Sequence, residues 1–139
     1  MSVIDSELHK LLAGWAADCA AHVLAVFEKD NPEDERPRKA IEAVRAWVQD
    51  NATISEVRKL AFDAHAAARD ATQPEAVHAA RAAGHAAATA HVFSHASYAA
   101  LYAVKAAANA EAEQKWQQEI LPDHLQVLLD FSIRKTTGE

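Results

Sequence analysis

A chain of 139 residues, half of them apolar, has the length of a single domain and can bury a core of its own. Three glycines and four prolines are too few for the tight turns of an all-β protein, and alanine far outnumbers the β-branched residues, so helix is the element this composition favours. A formal charge of −6 argues against a nucleic-acid binder, which needs a clustered excess of Lys and Arg, and is compatible with a basic protein partner or with ordinary solubility.

The opening MSVIDSELHK lacks the positive start and continuous apolar run of a signal peptide. No segment approaches the roughly 20 uninterrupted apolar residues of a membrane helix. The expectation is a cytoplasmic protein with no membrane association. The lone cysteine, Cys19, cannot form an internal disulfide, and its apolar helical surroundings point to a small buried side chain.

In chain order, Leu8, Leu11, Leu12, Trp15, Cys19, Val23 and Phe27 recur every three or four positions, which predicts a long amphipathic first helix from Asp5 to Glu28. The polar stretch KDNPEDERPR ends it as a surface loop. A second helix, Pro37 to Val48, places Ile41, Val44, Trp47 and Val48 on one side and runs into the polar QDNAT turn. Thr53 and Glu56 form a Thr-x-x-Glu capping box that opens a third helix, Ile54 to Ala71. Thr72 and Glu75 repeat the pattern with Pro74 in the first turn and open a fourth. The VFSH segment, Val92 to His95, interrupts the alanine-rich half, with Ser94 as a cap. A fifth helix is predicted from His95 to Glu119. Pro122 starts a last one carrying Leu125, Leu128, Leu129 and Phe131, and residues 134–139 are expected to fray.

Alanine occupies nearly half of the positions from Ala61 to Ala112, so helices there must pack backbone near backbone. Phe62, Phe93, Tyr98, Leu101, Tyr102 and Val104 are the larger side chains expected to anchor that half. The predicted architecture is all-α, a compact alanine-rich bundle of five to seven helices with short links.

Eight histidines are many for this length, and His65, His85, His91 and His95 all lie in the alanine-rich half. In an unbroken helix, His91 and His95 would share a face at i and i+4, a spacing with which two imidazoles hold a metal, but the glutamate that accompanies a catalytic zinc pair is missing. The commoner role is that of polar plugs in tight helix contacts, and no metal or cofactor is assigned. Asp18 stands four residues before His22 and Asp63 two before His65, so either acid could orient a ring. Gly84 reads as a point of close approach for a helix or an aromatic ring. Trp15, Trp47 and Trp116 fall on apolar faces, Trp116 among polar neighbours. No serine sits in a glycine elbow, the glycines form no phosphate loop, and no carboxylate pair can be assigned, so the chain reads as a binder and not an enzyme.

The run EKDNPEDERPRK concentrates charge. Glu28, Asp30, Glu33, Asp34 and Glu35, with Arg36 and Arg38, are the candidate partner-binding residues, and Glu111, Glu113 and Glu119 are further surface acids. Arg36 and Arg38 bracket Pro37, so one guanidinium could turn inward onto an acid such as Asp18.

The run LLAGWAADCAAHVLAVFEKDNPEDERPRKAIEAVRAWV, with RKLAFDAHAAARDA and AARAAGHAAATAHVFSHASYAALYAVKA, resembles a bacterial family of immunity proteins, the immunity-protein-five-like helical domain of polymorphic toxin systems. WAADCA with the following VFE, the DERPRKAIEA turn and helix, and AGHAAATAH followed by SHA carry the resemblance, which spans Leu11 to Ala108. It implies a helical protein that protects its producer by stoichiometric occlusion of a cognate toxin. Many such toxins are basic nucleases, which an acidic partner would meet faster by steering. Two other readings follow from the residues: a small ligand or metal binder using the histidines of the alanine-rich half, and a homo-oligomer packed through alanine faces.

Overall fold

The computed structural model describes residues 6–126, the His124 side chain excepted. Six α-helices follow one another: α1 (Ser6–Asp30), α2 (Arg36–Val48), α3 (Ile54–Asp70), α4 (Pro74–Ala88), α5 (His95–Ala106) and α6 (Ala110–Ile120), closed by a short 3-10 turn at Asp123–Leu125. No strand occurs among the described residues. The all-α expectation holds.

The core is asymmetric in side-chain size. α1 supplies its bulk, with Leu12, Trp15, Val23, Leu24 and Phe27 buried along one face, joined by Ile41 and Val44 of α2 and Val57 of α3. α4 lies at the centre, against α1, α2, α3 and α5, and its buried residues are alanines and Gly84. Side chains this small leave no gap between helices unless the axes come near the short end of the usual 8–10 Å range. Alanine therefore sets the spacing of the bundle.

By length and mean hydropathy (1.4), α1 is long and apolar enough to cross a membrane, although polar residues interrupt it; 56% of that stretch is buried within the bundle. The apolar character of α1 is what the core uses. Cys19 lies in that face with its thiol pKa raised, chiefly by burial, so it is a packing residue with little thiolate character.

Several local signals read as expected. The Thr53 hydroxyl accepts from the Glu56 N–H, and the Glu56 carboxylate accepts from the Thr53 N–H, completing the box that starts α3. Asp50, in the QDNAT turn, has φ 63° and reaches Lys10 of α1 with its carboxylate. A short acidic side chain tolerates this left-handed conformation better than most.

Other expectations are corrected. The Thr72–Glu75 box does not form, because Pro74 takes the first helical position and makes Gln73 the N-cap, one residue out of register with Thr72. Ser94 precedes α5 without a side-chain capping bond. The predicted fifth helix is two helices. It breaks after Ala106, and α6 restarts at Asn109, whose side-chain oxygen accepts from the Ala112 N–H. Leu11, Phe62 and Leu101, expected inside, are exposed. In place of a last helix from Pro122, the described part is the 3-10 turn, with Leu125 fully buried; Leu128, Leu129, Phe131 and the tail 134–139 lie outside the described residues.

The new helix α6 docks through polar groups. Its buried residues are Glu113 and Gln117, one turn apart. The Trp15 indole N–H donates to the Gln117 carbonyl at 2.9 Å, and the Gln117 amide donates to the Ala100 carbonyl at 2.9 Å, so one glutamine ties α6 to both α1 and α5. Each bond satisfies a group that burial would otherwise strand.

Candidate functional site

Of the seven residues singled out for partner binding, Glu28 and Asp30 lie in the last turn of α1, Glu33, Asp34 and Glu35 in the α1–α2 loop, and Arg36 and Arg38 in the first turn of α2, and the structure divides them in two. Arg38 grips the Glu28 carboxylate with two guanidinium nitrogens, at 2.7 and 2.6 Å. Arg36 does the same to Asp34, at 2.9 and 2.7 Å, and also reaches Asp70 at the end of α3, at 2.9 Å. These pairs hold the Glu28 and Asp34 carboxyls below their usual pKa, first through the arginine hydrogen bonds. Two-pronged geometry fixes orientation, even though each exposed pair adds little stability. Asp30, Glu33 and Glu35 remain exposed, with no ion pair among the described residues. The loop is thus an acidic edge, braced by its own arginines and by α3.

Neither arginine turns inward to Asp18. That acid pairs with Arg45, at 2.8 Å, because α2 runs back along α1 and brings its later turns opposite the middle of α1. His22 is likewise not oriented by Asp18. Its Nδ1–H is directed at both carboxylate oxygens of Glu113, at 2.9 and 2.8 Å, and its ring stacks on Trp116 with centroids 3.6 Å apart. Glu113, expected on the surface, is therefore buried, while Glu111 and Glu119 are exposed. Trp116 is half-buried and, with Asp18, His22, Arg45 and Ile120, lines a shallow surface pocket.

Three of the four histidines considered as metal ligands meet. His85 of α4 faces His95 of α5 with their Nδ1 atoms 3.0 Å apart, and His65 of α3 packs edge-on against His85, centroids 4.8 Å apart. His91 does not join them, because the helix ends before it and leaves it exposed in the turn. Asp63 does not orient His65; it pairs with Lys59. Arg81 instead donates to His65 Nδ1, at 2.8 Å, and since a guanidinium only donates, His65 must be neutral with its proton on Nε2. The same logic holds for the His85–His95 contact, where one Nδ1–H donates and the other nitrogen accepts. Burial is the main reason the His65 pKa falls to about 4 and that of His85 to about 3; His95 is lowered too, with positive neighbours adding to each. Among the described residues, no group of three or more His, Cys, Asp or Glu is arranged to hold a metal ion.

Sequence reasoning missed the rest of this cluster. Tyr98 and Tyr102 stack on His85 at interplanar angles of 23° and 6°, and His78 lies beside Tyr102. The signal was a matched spacing, with His78, Arg81 and His85 on α4 and His95, Tyr98 and Tyr102 on α5, each set at i, i+3 and i+7. Gly84 behaves as expected. A Cβ there would stand 2.6 Å from the His65 ring, so the missing side chain is what admits it.

A family model described as Imm-5 like putative immunity protein matches residues 2–124. The chain belongs to this family. The match takes in every described helix, including α6, and extends beyond the stretch over which the resemblance is visible by eye. No curated protein and no solved structure matches the chain. Among Imm-5 like proteins, then, this one presents a braced acidic edge at one end of the bundle and a neutral histidine–tyrosine cluster between α3, α4 and α5.

Proposed function

We propose that the chain is an immunity protein that neutralises a cognate bacterial toxin by stoichiometric occlusion, without catalysis, in the cytoplasm of its producer. Family membership across residues 2–124 is the observation that carries this reading. The acidic edge supports a site for it: Asp30 at the end of α1 and Glu33 and Glu35 in the loop that follows are exposed on a turn held by Arg36 and Arg38, so little order has to be gained on binding. A basic toxin surface would be drawn to such an edge and meet it faster.

The test is co-expression with candidate toxin domains, beginning with any encoded beside this gene. Host growth should be restored, and the two proteins should co-elute at one to one. Changing Asp30, Glu33 and Glu35 together to Lys should lower the association rate by about tenfold or more at low salt. Loss of protection with the unaltered chain would refute the immunity role; an association rate indifferent to salt would refute only the steering.

A further inference from the structure

Among the described residues, the most exposed large apolar side chain lies on α3, away from the acidic edge. Phe62 is 63% exposed and Ile54 44%, both on α3, and Val92 in the turn after α4 is 40% exposed. Ile54 and Phe62, together with Ser55, Arg58, Lys59 and His91, line an open groove between α3 and that turn. An apolar floor of this kind is what interfaces cover.

The charge around it is opposite in sign to that of the chain. The groove is lined by an arginine, a lysine and a histidine, and by no acid, in a protein of net charge −6. Asp63 reaches Lys59 from the side, at 3.4 Å, and Glu56 is turned back to the Thr53 N–H. Arg58 makes no ion pair among the described residues; its guanidinium lies over the Phe62 ring, 5.9 Å from the centroid. The aromatic ring and the free cation therefore form one unit in which both side chains are exposed to solvent.

We propose that this groove docks a partner segment bearing a carboxylate next to an apolar side chain. The apolar group covers Ile54 and Phe62, and the carboxylate takes the two-pronged grip that Arg58 leaves unused. His91 adds a second donor at the rim. The surface is separate from the acidic edge: along α3, at 1.5 Å per residue, Phe62 stands about 12 Å and Ile54 about 24 Å from Asp70, which binds Arg36 of α2. The first half of α3 and its last residue, Asp70, thus belong to surfaces that suit partners of opposite charge. This inference goes beyond the toxin reading and stands or falls without it.

The experiment is a titration of the full chain with a short fluorescein-labelled peptide in which phenylalanine and leucine are flanked by glutamates, read by anisotropy and by backbone amide NMR shifts. Saturable binding is expected, with shifts confined to residues 54–62 and 89–93. Phe62→Ala and Arg58→Glu should each weaken it by at least about fivefold, and both sites are exposed enough for the amide spectrum to confirm an intact fold. A peptide with lysine in place of glutamate should not bind. The proposal is overturned by absence of saturable binding up to about 1 mM, by shifts elsewhere, by undiminished binding to either variant, or by equal binding of the lysine peptide. It is also overturned if the chain self-associates through this groove, seen as a rise in mass with concentration that Phe62→Ala abolishes, because the occupant is then a second copy.

Discussion

Acid should begin to destabilise this protein before its carboxylates titrate, and His85 gives the size of the effect. Its pKa is about 3 in the folded chain against an ordinary 6.5. Below pH 6.5 the unfolded chain takes up a proton that the folded chain refuses until about pH 3, so stability is complete above 6.5 and is lost as pH falls through that window. At about pH 5 the gap is about 1.5 pKa units, which at 1.36 kcal/mol per unit is about 2 kcal/mol. His65 acts in the same direction, facing Arg81, Arg69, His85 and His95, but its greater exposure reduces its share to about half of that. Glu28 and Asp34 have lowered pKa values and stay ionised at pH 5, so their contribution is lost only at lower pH. Urea unfolding followed by tryptophan fluorescence at about pH 7.5 and about pH 5 should differ by about 2 to 3 kcal/mol. His85→Phe keeps a ring to stack on Tyr98 and Tyr102 and should remove most of the difference. Equal stability at the two pH values, or an undiminished difference in the variant, would mean that His85 is not held neutral by the fold.

Four further substitutions, at three positions, separate packing from backbone strain. Gly84→Ala puts a methyl 2.6 Å from the His65 ring and should destabilise by about 1–3 kcal/mol in thermal or urea melts, whereas Gly14→Ala, with nothing within 4 Å, should stabilise by about 0.5–1 kcal/mol. Asp50→Ala should cost about 1 kcal/mol for the left-handed backbone at φ 63°, while Asp50→Gly should cost less although it loses the same contact to Lys10; equal losses in the two variants would place the whole effect in the ion pair.

Helix positions were legible where one signal sat alone. The Thr53–Glu56 box, the periodic apolar face of α1 and the prolines at the starts of α2 and α4 each act within a turn of chain, so their physics is visible in sequence. Errors arose where local signals competed. Thr72 and Pro74 both mark a helix start, and proline wins because its ring fixes φ while a threonine cap only adds a bond. Alanine on both sides of residues 107–109 hid the break, although Asn109 followed by Glu111 and Glu113 carries a cap and the acidic first turn that the helix dipole favours. The site was less legible than the fold. Which arginine meets Asp18, and which acid meets His22, depends on how α2 and α6 lie along α1, over separations of 27 and 91 residues. No local pattern encodes those pairings. Gly84 was readable because a lone glycine in a helix asks for a neighbour, but only the packing of α3 on α4 names His65 as that neighbour.

The alanine face of α4 also sets a direction for sequence change. A centre built from the smallest side chains has almost nothing to lose by truncation and no room for growth, so nearly any drift at Ala79, Ala80, Ala83 or Ala86 pushes four neighbouring helices apart at once. Sequence change is then accommodated at the rim, on the 31–35 loop and the outer faces of α3 and α6, over a scaffold that holds still while they vary.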